Sequence, residues 1–413
     1  MSNEQIQPSV SDDSDDRLFG IPPYWDGGWI TLLDKFPNLA THIESLDLSC
    51  FDEKHVCAPI SLDLIQSVHN IVRRSSVCLE GNLWLGIIPQ ILATGPIYAS
   101  QSKTLQIFYL ACLTHLKTLT LGTAWSESRD SPQVQQACEQ VFKRILDESF
   151  RCRPRSPSPL ARLEHLKYTP SPDVHRVNQL QWIVPFIILP KLVKLHACRL
   201  SAITHHFVMA PSDSYLQTIE LVSCCIDVPS IIKLLSHTRF LKNFKYIHAV
   251  NEDGNTAEWW DAKSFVGAIE KYRRRELQSL SIGIDHDRAP SSISRIEFII
   301  AFTGLREVEL DYRVIVPKPI SFMLPQSIEE FRLRVHFPQS SSFEPIMTDL
   351  RKMFSFIYTQ QCSNQPVITL PFISSSSIIP IIGHGCRQED SEFFRQLQKC
   401  ATDHGVRYVS PTE

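Results

Sequence analysis

An α/β solenoid is the fold this sequence predicts, with a curved parallel sheet on its concave face and helices and irregular segments on its convex face. Three observations predict it. The pattern Leu-x-x-Leu-x-Leu recurs along the chain. From residue 163 its starts fall at 163, 192, 216, 241, 277, 305 and 328, so successive copies lie 29, 24, 25, 36, 28 and 23 residues apart. The third and fifth positions of the copies carry no apolar residue. Together these mark a leucine-rich repeat, whose units of about 20–29 residues each give one strand and a return segment. One unit cannot bury its apolar face alone, so neighbours must stack.

The copies read Ile43-x-x-Leu46-x-Leu48, Leu116-x-x-Leu119-x-Leu121, Leu163-x-x-Leu166-x-Tyr168, Leu192-x-x-Leu195-x-Ala197 and Leu216-x-x-Ile219-x-Leu221. They continue as Leu241-x-x-Phe244-x-Tyr246, Leu277-x-x-Leu280-x-Ile282, Leu305-x-x-Val308-x-Leu310 and Ile328-x-x-Phe331-x-Leu333. The spacing organises the chain into an acidic, disordered tail over 1–18 and an irregular N-terminal repeat-like region over 19–162. A regular array follows over 163–337, then a C-terminal capping region over 338–413.

Each element has a local reason. Trp29 to Leu33 predicts a short helix that Pro37 interrupts, and Ile43 to Leu48 alternates as a strand does. Ser61 to Arg74 predicts a helix with Ser61 as its cap and Leu62, Ile65, Val68, Ile71 and Val72 on one face. Leu83 to Leu92 and Leu105 to Leu113 are further apolar helical stretches. Pro132 to Phe150 predicts another helix, with Val134, Val141, Ile145 and Leu146 inward. Arg151 to Pro159 is a Pro/Ser/Arg loop that cannot continue it. Return helices are expected over Ser230 to Ser236, Asp261 to Tyr272 and Ser291 to Phe302. Asn251 to Trp260 is a polar insertion that accounts for the longest spacing. Serine runs at 340–342 and 374–377 predict loops, and Val367 to Leu370 a last strand. Glu389 to His404 predicts a closing helix stopped by Gly405, and Val406 to Val409 a terminal strand.

In a strand, side chains alternate. The first, fourth and sixth positions of each copy therefore point inward. The third positions, Thr118, His165, Lys194, Thr218, Asn243, Ser279, Glu307 and Glu330, point outward. So do the fifth positions, Thr120, Lys167, His196, Glu220, Lys245, Ser281, Glu309 and Arg332. A one-residue slip would bury all of these polar groups. The early copies gather His165, Lys167, Lys194 and His196, and the late ones Glu307, Glu309 and Glu330. Such a face either orients a partner of matching polarity or simply keeps an exposed sheet solvated.

The bulk properties narrow the function. The chain has 413 residues and a formal net charge of -3, which gives no basic footprint for nucleic acid. The start, Met1 to Arg17, is polar and acidic, unlike a signal peptide. The longest apolar stretch, Trp182 to Leu189, is too short to span a bilayer and contains Pro185. The 12 cysteines are irregularly placed with no Cys-x-x-Cys, so reduced thiols in cytosol or nucleus are expected. No cofactor or metal is expected. Cys224 and Cys225 lack partners at metal-ligand spacing. Cys224 instead stands where the repeat uses Asn or Cys to satisfy the turn after the strand. His205-His206 and His384-Gly385-Cys386 pair chemistry-bearing side chains in sequence only, and Arg273-Arg274-Arg275 reads as a solvated helix end. Ser156-Pro157 and Ser158-Pro159, among arginines, are candidate phosphorylation sites in what is otherwise a plain linker.

Four stretches carry a resemblance. Leu32 to Leu48, Leu113 to Leu121, Leu324-Pro325-Gln326-Ser327-Ile328-Glu329-Glu330-Phe331-Arg332-Leu333 and the Cys400 to Val406 ending look like the leucine-rich-repeat portion of fungal F-box proteins, over about residues 28–410. The resemblance implies a substrate-recognition surface. An F-box itself is not recognisable, since the 27 residues before Gly28 are acidic and lack its Leu-Pro-x-Glu-Ile opening. The expectation is therefore a non-catalytic protein-binding chain, similar to the recognition part of a ubiquitin-ligase receptor, with a cullin-type ligase adaptor as a partner. The alternatives are a free-standing scaffold and an enzyme built on a Cys/His pair such as Cys386 and His384.

Overall fold

A computed structural model describes residues 28–49, 62–74, 103–125, 132–150, 158–170, 178–202, 213–249, 259–285, 292–319, 323–336, 344–362, 375–381 and 390–409. The chain divides into two units, residues 1–163 and 164–413.

In the first unit, α1 (Gly28–Lys35), β1 (Ser45–Leu48), α2 (Leu62–Arg74), α3 (Lys103–Cys112), β2 (Thr118–Leu121) and α4 (Pro132–Phe150) follow in order. β1 and β2 pair in parallel, with Leu46 opposite Leu119 and Leu48 opposite Leu121. All four leucines are fully buried. Asp34 of α1 accepts from Asn70 of α2 at 3.0 Å and pairs with Arg74. α4 opens on Pro132, whose missing N–H costs nothing at a first turn. It buries Cys138, Val141, Phe142, Ile145 and Leu146. At its end the Ser149 hydroxyl lies within reach of the carbonyls of Ile145 and Pro159.

The second unit is an α/β structure on a large parallel sheet. Its main strands are β3 (His165–Tyr168), β5 (Lys194–Cys198), β7 (Thr218–Ile226), β8 (Asn243–His248), β10 (Ser279–Ile284), β12 (Glu307–Asp311), β13 (Glu330–His336), β14 (Ser375–Ile381) and β15 (Arg407–Tyr408). Each pairs with the next in that order, and every pairing is parallel. The short strands β4 (Asn178–Gln179) and β6 (Leu200–Ala202) extend the sheet beside β7, and β9 (Trp259–Asp261) pairs with β11 (Ser292–Ser294). Parallel neighbours need crossovers. α5 (Val184–Ile187), α6 (Val228–Ser236), α7 (Ala262–Arg273), α8 (Glu344–Cys362) and α9 (Asp390–Asp403) lie on these connections. Asp227 caps α6 by accepting from the Ser230 N–H at 2.8 Å, and Asp261 caps α7 by accepting from the Ser264 N–H at 2.9 Å.

The rungs of the core are in register. Leu166, Leu195, Ile219, Phe244, Leu280, Val308 and Phe331 are partnered in turn across β3 to β13. None is more than 2% exposed. Burying each such side chain contributes about 1.5–3 kcal/mol.

The structure differs from the sequence reading in several places. The helix expected over Ser291 to Phe302 is not formed by its described residues, 292–302. Ser292–Ser294 is β11, and Ile296 bridges Ile315. Ile296 and Ile299 are buried but Ile300 is exposed. The segment is rich in β-branched isoleucine, which suits extended backbone. Ser374 to Ser377 is not wholly a loop, because Ser375 opens β14 opposite Glu330. The free edge of β13 supplies the hydrogen bonds that serine propensity alone would not predict. The capping region thus prolongs the same sheet through β14 and β15. α9 ends as expected. Gly405 has a φ of 67°, its N–H reaches the Thr402 carbonyl, and the Val406 N–H reaches the Ala401 carbonyl. That is a Schellman closure. The tail, Ser61, Leu83 to Leu92, residues 151–157, 203–212, 250–258 and 337–343, Val367 to Leu370 and His384 to Cys386 lie outside the described residues.

Candidate functional site

The outward positions of β3 to β13 form two ladders. His165, Lys194, Thr218, Asn243, Ser279, Glu307 and Glu330 face one another in turn, and so do Lys167, His196, Glu220, Lys245, Ser281, Glu309 and Arg332. None of these residues is buried. The sheet therefore presents a continuous polar face whose composition is fixed by register.

At the β3 end, His165 lies opposite Lys194 and Lys167 opposite His196. Glu220 draws two of these inward. Its carboxylate meets Lys194 Nζ at 2.8 Å and His196 Nδ1 at 2.9 Å. Burial alone would raise the Glu220 carboxyl, but the hydrogen bonds and charges of Lys194 and His196 outweigh it and hold the carboxyl below its ordinary range. On the other side, His196 Nε2 lies 3.4 Å from Cys198 Sγ. Burial pushes the Cys198 thiol up, opposed in part by the charge of Arg199 and reinforced by Glu220.

At the β13 end, the acidic half is covered by arginines of the same strand. Arg332 Nε donates to Glu330 at 2.8 Å. Arg334 pairs with Glu309, which also accepts from the Ser281 hydroxyl at 3.1 Å. Arg334 reaches across over Gly283, where a Cβ would stand 3.2 Å from its guanidinium and 3.0 Å from Ile247. Among the described residues Glu307 makes no ion pair, and at the other end neither do His165, Lys167 and Lys245. The two charged halves read from the sequence are thus unequal, since the acidic one is largely neutralised within the sheet.

Two polar clusters lie behind this face. The Tyr246 hydroxyl is 3.0 Å from the Cys224 carbonyl, 3.0 Å from the Ile226 N–H and 2.8 Å from His248 Nδ1. One assignment satisfies all three contacts. Tyr246 donates to Cys224 and accepts from Ile226 and from a protonated Nδ1 of neutral His248. Burial pushes His248 down to about 3. The second cluster centres on Asp311, which is fully buried. It accepts from His336 Nε2 at 2.7 Å and from Arg313 Nη2 at 2.9 Å. Burial favours its neutral form, but His336 and Arg313 outweigh that and keep the carboxyl well below its usual range.

Other candidates fare differently. Cys224 lies within β7 and not at a turn after it: the strand runs on past a register shift between Leu221 and Cys224, and the sulfur is buried with the Leu200 N–H 3.4 Å away. Arg273 is buried rather than solvated, and its guanidinium reaches the Leu235 carbonyl at the end of α6. Arg274 and Arg275 are exposed. Ser158 is only 9% exposed, so a kinase would have to open its turn, and Ser156 lies outside the described residues. His205-His206 and His384-Cys386 lie outside them as well. Among the described residues no group of His, Cys, Asp and Glu is arranged to hold a metal, and no helix is long and apolar enough to cross a membrane. The Cys198–His196–Glu220 chain was not singled out from the sequence. Its signal was nonetheless present, since His196 and Glu220 share the fifth position of adjacent copies and Cys198 continues the same outward row.

Comparison with known proteins returns no matching family model and no matching curated sequence.

Proposed function

We propose that the chain is a leucine-rich-repeat solenoid that binds a partner protein on the outward face of its parallel sheet, without catalysis. The observation that carries this reading is the pair of polar ladders held in register over β3 to β13, above a row of fully buried rungs. A polar sheet face held in register over many strands suits recognition of another protein surface. Lys167 and Lys245 leave cationic capacity that the sheet does not use, so the docking segment is expected to be anionic where it meets β3 to β8.

The resemblance to F-box receptors supports a role as a substrate-recognition module in the cytosol or nucleus, linked to a cullin-type ligase adaptor. A free-standing scaffold is the competing version. Pull-down with the purified adaptor subunit separates the two: retention of the folded full chain favours the receptor, and its failure favours the scaffold. The binding face itself is tested by affinity purification of the wild type beside a Lys167→Glu, Lys245→Glu variant. The reading expects partners lost from the variant while its thermal unfolding is unchanged. An unaltered partner set would count against it.

A further inference from the structure

Beyond partner binding, the geometry points to a second capacity of the same sheet face: we infer that Cys198 is a covalent acceptor for thioester-borne acyl groups, with His196 as its general base and Glu220 as the residue that positions the base.

Glu220 fixes which nitrogen of His196 carries the proton. Glu220 carries two cationic or donor partners, Lys194 at 2.8 Å and His196 Nδ1 at 2.9 Å. Those partners keep its carboxyl ionised. An ionised carboxylate only accepts, so His196 Nδ1 must carry the proton that lies between them. In the neutral imidazole the lone pair then sits on Nε2. That atom lies 3.4 Å from Cys198 Sγ. The thiol therefore donates to a base whose orientation is set by a third group, which is the arrangement that activates a nucleophile.

The three residues come from two adjacent strands and are fixed by the ladder. His196 and Glu220 are register partners, and Cys198 lies opposite Val222 one outward position further on. Each keeps part of its surface open to solvent. Because burial keeps Cys198 protonated at rest, the site is a thiol held beside an imidazole nitrogen, not a standing thiolate. Such a pair responds to a carbonyl electrophile that lets proton removal and attack occur together.

The step balances without an oxidant. Cys198 Sγ attacks the carbonyl carbon of a thioester while His196 Nε2 takes the thiol proton. The tetrahedral adduct collapses, the donor's C–S bond breaks, and the departing sulfur receives the proton from Nε2. The products are an acylated Cys198 and a free thiol, one adduct per chain.

The test treats the full chain with phenyl thioacetate and maps the acetyl group by peptide mass spectrometry over a range of pH. Wild type is expected to take acetyl on Cys198, about 100-fold faster than His196→Gln, the lower end for a positioned base. Cys198→Ser should lose that adduct. Glu220→Gln should lose the protonation-dependent step in the pH–rate profile, and Glu220→Asp should recover it. A merely structural Glu220 would leave the profile's shape unchanged. Equal rates in wild type and a folded His196→Gln would overturn the inference. Should that variant not fold, a wild-type Cys198 rate that follows simple thiol ionisation, like that of a cysteine peptide, would overturn it equally.

Discussion

His248 and Trp260 stack with ring centroids 4.3 Å apart and planes within 3° of each other. The stack seals the imidazole against solvent, and burial pushes its ionisation down to about 3. The unfolded chain would protonate this histidine near its ordinary value of about 6.5. Between those limits the unfolded state binds more protons, so stability falls as pH falls. Urea midpoints measured from pH 7 to pH 4 should decline, with this residue contributing up to about 1.4 kcal/mol per pH unit. His115 is lowered by burial as well and acts in the same direction. Comparison with His248→Phe isolates the effect: the variant should lose much of the slope. An identical slope would exclude His248 as its source.

Tyr246 holds the backbone of β7 through its hydroxyl, which meets both Cys224 and Ile226. Tyr246→Phe leaves those groups and His248 without it. The expected loss is about 1–3 kcal/mol, as for a buried polar group stripped of its partner. Equilibrium denaturation in urea checks it, and a change within error would mean that water replaces the hydroxyl.

Asp311 is the buried anion between Arg313 and His336. Asp311→Asn removes the charge and leaves two cationic or donor groups facing each other. Destabilisation of about 3–5 kcal/mol is expected. The same carboxylate sets the acid limit. Its folded value is depressed, so its contribution is complete at neutral pH and is lost as pH drops below the ordinary carboxylate range. Acid unfolding of the wild type below about pH 4 should therefore be steeper than that of the Asn variant.

Neighbouring residues on one strand should respond oppositely to the same change. Leu280 is a fully buried rung and Ser279 beside it faces outward. Leu280→Ala should cost about 2–5 kcal/mol, and Ser279→Ala no more than about 0.5 kcal/mol. Comparable losses at both positions would contradict the register.

What the sequence made legible was governed by period. The rungs from Leu166 to Val308 could be read because a buried strand position repeats at fixed offsets, and the structure pairs them in that order. α4 could be read to its bounds because Pro132 marks its start. Ser291 to Phe302 misled because isoleucines three apart suit a helix face as well as a turn-rich extended leg. Ser375 to Ser377 misled because strand formation there depends on the edge of β13, a non-local partner. The outward ladders were legible by residue type, but the pairing of Glu309 with Arg334 was not. It depends on the empty space over Gly283, which no pattern of types records.

The proposal that a partner docks on the polar ladders is tested most directly by where that partner can be crosslinked. A photo-crosslinking amino acid is placed at Lys245 or Ser281 on the outward face, and at Lys271 on the exposed side of α7. Protein in its source cells is irradiated, and adducts are identified by mass spectrometry. The account predicts the same partner crosslinked from both sheet positions and not from Lys271. Adducts from Lys271 alone, or the same yield from all three, would contradict it.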